Sequence, residues 1–178
     1  MLDKIYDLML DALILVGLEA IIVGQSHRCR ELLALVMITA VFTVSLAALF
    51  PATGAMNFYA DDAFKAMFSK DTGVSAIPQI LEIRSSAPVI FNPLQLAGLA
   101  QFPSFHTVCG ILIIYGSRGQ ILRHAIGIAF GITLISATPI FGSHYFVDLL
   151  AGLGVAAGFI WLGRKFGLHN ESVEFRSN

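Results

Sequence analysis

"QILRHAIGIAFGITLISATPIFGSHYFVDLLAGLGVAAGFIWLG", residues 120–163, decides the fold. It holds two apolar runs, 120–138 and 145–163, separated by a short break with a proline, a glycine, a serine and a histidine. A bilayer core takes about 20 apolar residues of helix. A run alone in lipid has only its own helix to satisfy its backbone polar groups. The stretch therefore predicts two membrane helices joined by a tight turn. Working outward, runs 8–24 and 32–51 have similar lengths. The run 105–116, which opens within "QFPSFHTVCG" (101–110), is the shortest of the predicted spans.

The whole chain agrees with this. Of its 178 residues, 56% are hydrophobic and only 13% are charged, with a mean hydropathy of +0.77. A soluble domain of this size cannot hide that much apolar surface. The expected fold class is all-α: a multi-pass transmembrane bundle of about five spans with short interfacial helices. Residues 1–178 form one integral membrane domain in this reading. The acidic start "MLDKIYDLMLD" lacks the basic flank of a signal peptide, so the first run is expected to stay in the mature protein. The net charge of −1 and the lack of a basic tract argue against a nucleic-acid partner. Cys29 falls in a polar loop and Cys109 in an apolar run, which is no disulfide framework.

Topology brings two polar clusters together. If run 32–51 ends on one face, "PSFH" (103–106) starts the next span from that face, and "GSHY" (142–145) returns to it one hairpin later. Arg28, Arg30, Arg118, Arg123, Arg164 and Lys165 collect on the other face, which the positive-inside rule makes cytoplasmic. Both histidines then face outward, to a periplasm, exterior or lumen. Five spans also put the amino terminus outside, one explanation being the loss of a first span. The outer loop, 52–104, has structure of its own. "DDAFKAMFSK" (61–70) sets Phe64, Met67 and Phe68 on one helical face, and Pro78 in "IPQILEIR" (77–84) can open a second helix. Each lies on the membrane interface or packs over the bundle.

The clusters sit at helix mouths. Pro139 biases Thr138 away from helix, so the fourth span is expected to end there. Ser143 is then the N-cap of the last helix, with His144 in its first turn, and Ser104 caps the third span, with His106 in its first turn. Two converging helix starts present unpaired N–H groups and partial positive charge, which suits an anion such as phosphate. His144 and Asp148 are four apart and share a face. The carboxylate can fix the imidazole tautomer and leave the other nitrogen as nucleophile. His106 is the matching general acid, and Ser104 with the backbone N–H groups would stabilise phosphoryl oxygens. The rival reading has His106, His144 and Asp148 coordinate a metal ion. The small-residue patterns "GIAFG" (127–131) and "GVAAG" (154–158) are expected to let the last two spans approach closely. Asp11 and Glu19 in the first span receive no role.

"FPSFH" (102–106), followed by "GSHYFVDLLAG" (142–152), resembles the type-2 phosphatidic acid phosphatase superfamily. The "HYFVD" form looks most like the branch containing inositol phosphorylceramide synthase and many bacterial membrane homologues, with a looser likeness at "FPATGAMNFY" (50–59). The resemblance implies a membrane enzyme that hydrolyses a lipid phosphate or diphosphate, with residues 105–163 as its catalytic helical core. The alternatives are a lipid head-group phosphotransferase or a non-catalytic relative. His144 would form a phosphohistidine, Asp148 would orient it, His106 would be the acid, and Ser104 would be a phosphate ligand; Ser143 is a further substrate-binding candidate from its place beside His144. No metal or organic cofactor is implied. The implied partners are a lipid phosphate and the bilayer, a bacterial inner membrane by likeness. Nothing in the sequence sets the oligomeric state. Two departures stand out. Ala137 and Thr138 occupy the places of the family's Ser-Arg, and no lysine precedes an Arg-Pro by seven residues. Arg84, in "EIRSSAP" (82–88), is the best stand-in for a phosphate-clamping cation, with Lys65 and Lys70 behind it.

Overall fold

Hydrogen bonding within each segment is what lipid demands of a backbone, and every regular element among the described residues is helical. The structure, a computed structural model, describes residues 2–50, 52–67, 81, 85 and 101–167. In chain order the helices are α1 (Leu2–Asp7), α2 (Met9–Ile22), α3 (Ser26–Leu49), α4 (Ala55–Tyr59), α5 (Asp62–Met67), α6 (Phe105–Gly116), α7 (Ile121–Phe141) and α8 (Phe146–Lys165). Together they make a helical membrane bundle. Helices α3, α7 and α8 are long and apolar enough to cross a membrane. Helix α2, at 14 residues, and α6, at 12, fall short of that length. The ladder nonetheless runs on across the break at Leu8, whose N–H reaches the Lys4 carbonyl at 3.0 Å while its carbonyl accepts from Ala12 at 2.9 Å.

Helix α6 is short and enclosed. It packs against α2, α3, α7 and α8, and seven of its twelve residues are buried. Val108, Cys109 and Leu112 are fully buried and meet Leu134, Ala137 and Ala156 in the core. The outer helices instead expose Leu15, Val41, Ile132 and Trp161, the apolar surface that lipid covers. Glycines set the central spacing: a Cβ on Gly131 would lie 2.6 Å from the Gly110 carbonyl oxygen. "GIAFG" therefore packs α7 onto α6, and "GVAAG" does not hold the α7–α8 pair as expected. A Cβ on Gly154 or Gly158 would meet nothing within 4 Å.

The arginine end of the bundle is a polar clamp. Glu31, 2% exposed, accepts from Arg118 at 2.5 Å and from the Tyr115 hydroxyl at 2.6 Å. The Arg118 guanidinium also lies 3.7 Å from the Tyr115 ring centroid. Arg123 pairs with Glu19 at 2.6 Å, which gives Glu19 the role the sequence left blank. Arg28 and Arg123 both donate to the Arg118 carbonyl. Cys29 proves to be a buried residue of α3, not a loop residue, because α3 starts six residues before its apolar run.

The other end holds the two motifs. Helix α7 continues through Pro139 to Phe141 instead of ending at Thr138. The proline falls in the last turn, and the Gly142 N–H still reaches the Thr138 carbonyl at 2.9 Å. Helix α5 forms within the expected 61–70 segment, with the Asp61 carboxylate accepting from the Phe64 N–H at 2.7 Å. The second expected loop helix, near Pro78, lies outside the described residues.

Candidate active site

Ser104 and Asp148 tie two helix starts together. The Ser104 side chain accepts from the Thr107 N–H at 3.3 Å and so caps α6, as expected, with His106 in the first turn. The Ser104 N–H donates to the Asp148 carbonyl at 3.1 Å, joining this cap to α8. Gly152 permits the approach: a Cβ there would sit 2.6 Å from the Ser104 carbonyl oxygen and 3.0 Å from Thr107 Cβ. Ser104 and Thr107 are fully buried in this junction.

His144 lies just before α8 rather than in its first turn, since Tyr145 is the N-cap. The pairing with Asp148 survives the shift. His144 Nδ1 is 3.3 Å from Asp148 Oδ2, and the same oxygen accepts from the Tyr145 N–H at 2.8 Å. His144 is 6% and Asp148 2% exposed. With Nδ1 turned to the carboxylate, Nε2 is the nitrogen left for chemistry. At the rim, Tyr59 and Tyr145 meet edge to face at 6.1 Å. Desolvation, with Tyr59 and Asp148 nearby, raises the Tyr145 phenol above its usual range and keeps it a donor.

Ser143 departs from expectation. It does not cap the last helix; it caps α4. Its hydroxyl accepts from the Met56 N–H at 2.8 Å and its carbonyl from the Ala55 N–H at 2.6 Å. Ser143 adopts φ +57°, a left-handed conformation that turns both groups toward α4. Gly54 leaves room for this contact, since any Cβ there would strike Ser143. Residues 52–54 thus lead into α4 where it seats against the residue before His144.

His106 is covered by Tyr6, a residue to which no sequence motif points. The Tyr6 and His106 rings stack with centroids 3.9 Å apart and planes at 11°, and the Tyr6 hydroxyl is 3.2 Å from Nδ1. A Cβ placed on Gly142 would lie 2.6 Å from His144 Cδ2, 2.7 Å from the Tyr6 hydroxyl and 2.8 Å from the Thr138 carbonyl oxygen. One carbon-sized point therefore touches both the His144 ring and the Tyr6 hydroxyl that rests on His106. The only signal for Tyr6 was topology, which puts the amino terminus on the face of the histidines.

The other candidates are not brought in. Lys65, on α5, makes no hydrogen bond or ion pair to a site side chain among the described residues, and Arg84 and Lys70 lie outside them. Thr138 donates to the Leu134 carbonyl at 2.9 Å within its own helix. Among the described residues, no three His, Cys, Asp or Glu side chains are grouped to hold a metal ion.

The fold and site define a helical membrane protein with paired histidines at the mouths of two linked helices. The family model of the PAP2 superfamily matches residues 1–162, and the chain belongs to that superfamily, the type-2 phosphatidic acid phosphatases. Membership supports phosphatase- or phosphotransferase-type chemistry in general. Comparisons with curated proteins and with solved structures returned no match.

Proposed function

We propose that the protein hydrolyses a lipid phosphate or diphosphate at the outer membrane face through a phosphohistidine. The observation that carries this reading is the junction of the two helix starts, which gathers His106, His144 and Asp148 at one end of the bundle. His144 Nε2 attacks phosphorus while the bond to the leaving oxygen breaks, and His106 gives that oxygen its proton. Asp148 accepts a hydrogen bond from Nδ1, which keeps its proton, and offsets the positive charge that builds on the ring. Water, losing a proton to His106, then attacks phosphorus; the P–N bond breaks and phosphate leaves. First-turn N–H groups of α6 and α8, with the Ser104 hydroxyl, stabilise the phosphoryl oxygens. Arg84 is the proposed clamp where the family arginine is replaced by Thr138. A pocket of about 370 Å³ beside α4, lined by Met56, Tyr59, Phe64 and Ile140, suits part of the lipid.

The test is phosphate release from a panel of lipid mono- and diphosphates by the protein in nanodiscs, wild type beside His144→Ala. The expected result is release by wild type and a loss of roughly 10⁴-fold or more in the variant. Equal rates end the proposal. A new head-group lipid in place of free phosphate, seen when a second alcohol is supplied, makes the protein a transferase on the same histidine.

A further inference from the structure

We infer that Tyr6 is the positioning residue of the proposed general acid, holding the plane of the His106 imidazole by stacking. The chemistry of this inference rests on the function proposed above; its geometry does not. His106 is the second residue of α6, so its ring is free to swing about two side-chain bonds unless something holds it. The Tyr6 hydroxyl is 3.2 Å from its Nδ1, and among the described residues the only ring packed on it is that of Tyr6. Tyr6 is itself fixed. It is 5% exposed, sits on α1 where α1 packs against α7, and has the Phe141 ring 6.2 Å away. Phe141 is the last residue of α7, three before His144.

The near-parallel planes decide what the tyrosine does. With rings 11° apart, the hydroxyl lies above Nδ1 and not in the imidazole plane, where the lone pair and N–H point. The in-plane directions of both nitrogens are thus left for proton transfer. An acid works only when its N–H is aimed at the leaving oxygen, and a small misplacement is expensive. The demand on the acid depends on the leaving group. An alkoxide needs the proton as the P–O bond breaks, whereas a nitrophenolate departs without it.

Tyr6→Leu and Tyr6→Phe, each in nanodiscs, test this with two substrates: a long-chain alkyl phosphate and a nitrophenyl phosphate. Tyr6→Leu is expected to lower kcat on the alkyl ester roughly 10- to 100-fold and on the nitrophenyl ester less than about 3-fold, with KM little changed. Tyr6→Phe keeps the stack and stays near wild type on both. Equal losses on the two substrates, or a Phe variant as poor as the Leu variant, overturn the assignment. A second readout needs no turnover: carbethoxylation of His106, followed by peptide mass spectrometry. His106 should react slowly in wild type and Tyr6→Phe and several-fold faster in Tyr6→Leu; equal rates overturn the assignment. A wild type that releases no phosphate from any substrate sinks the proposed function and leaves the labelling to decide the role of Tyr6.

Discussion

A single carboxylate oxygen, Asp148 Oδ2, serves both the His144 ring and the Tyr145 N–H. Asp148→Asn separates charge from geometry, because an amide oxygen in that place still accepts from both. The fold should hold while the negative charge opposite the imidazole is lost. We expect kcat to fall roughly 10²- to 10⁴-fold with KM and the melting temperature nearly unchanged; steady-state kinetics beside a thermal melt checks this. The His144–Asp148 pair was legible in the sequence because four residues is a local distance, readable from helical periodicity. Ser104 as a cap was legible for the same reason. Tyr6 was not, since its partner lies 100 residues along the chain and no local pattern links them. Ser143 misled for a related reason: its left-handed backbone directs it to α4, a partner 87 residues away.

Among the helices, two glycines of α8 that look alike in the sequence have opposite surroundings. A Cβ on Gly152 meets the Ser104 carbonyl oxygen at 2.6 Å, whereas one on Gly154 meets nothing within 4 Å. Gly152→Ala must push α8 from the start of α6 and is expected to destabilise by about 1–3 kcal/mol, with activity falling alongside. Gly154→Ala gains helix propensity and is expected to be neutral or stabilising by up to about 1 kcal/mol. Thermal unfolding of both variants in one lipid composition is the measurement, and a shared sign would contradict the packing described. Hydropathy marked where helices lie, and small-residue spacing marked which faces permit contact. Neither names the neighbour. That is why "GIAFG" was assigned to α8 yet packs on α6. Pro139 shows the same limit at a terminus: α7 runs on to Phe141 although the proline has no N–H to give the Ile135 carbonyl.

Across the described residues, the paired histidines and the charged fastening occupy opposite ends. The histidines sit where α6 and α8 begin, and the Glu31–Arg118–Tyr115 group sits where α6 ends. Removing one partner of a buried ion pair strands the other. Glu31→Ala is therefore expected to cost about 3 kcal/mol of stability while kcat at low temperature stays near wild type. A melt and a cold assay together distinguish this from a site defect. That the chain forms a helical membrane bundle was the most legible feature of the sequence, because lipid leaves a chain few choices. The clamp was not legible, since Glu19 and Glu31 acquire meaning only once α2, α3, α6 and α7 have met.

Ser143 adds a mechanical corollary. Both its hydroxyl and its carbonyl hold α4, and its peptide is the one that joins His144. The outer segment and the imidazole thus share one tether, so any force that lifts α4 off the bundle arrives, undiluted by intervening chain, at the neighbouring histidine.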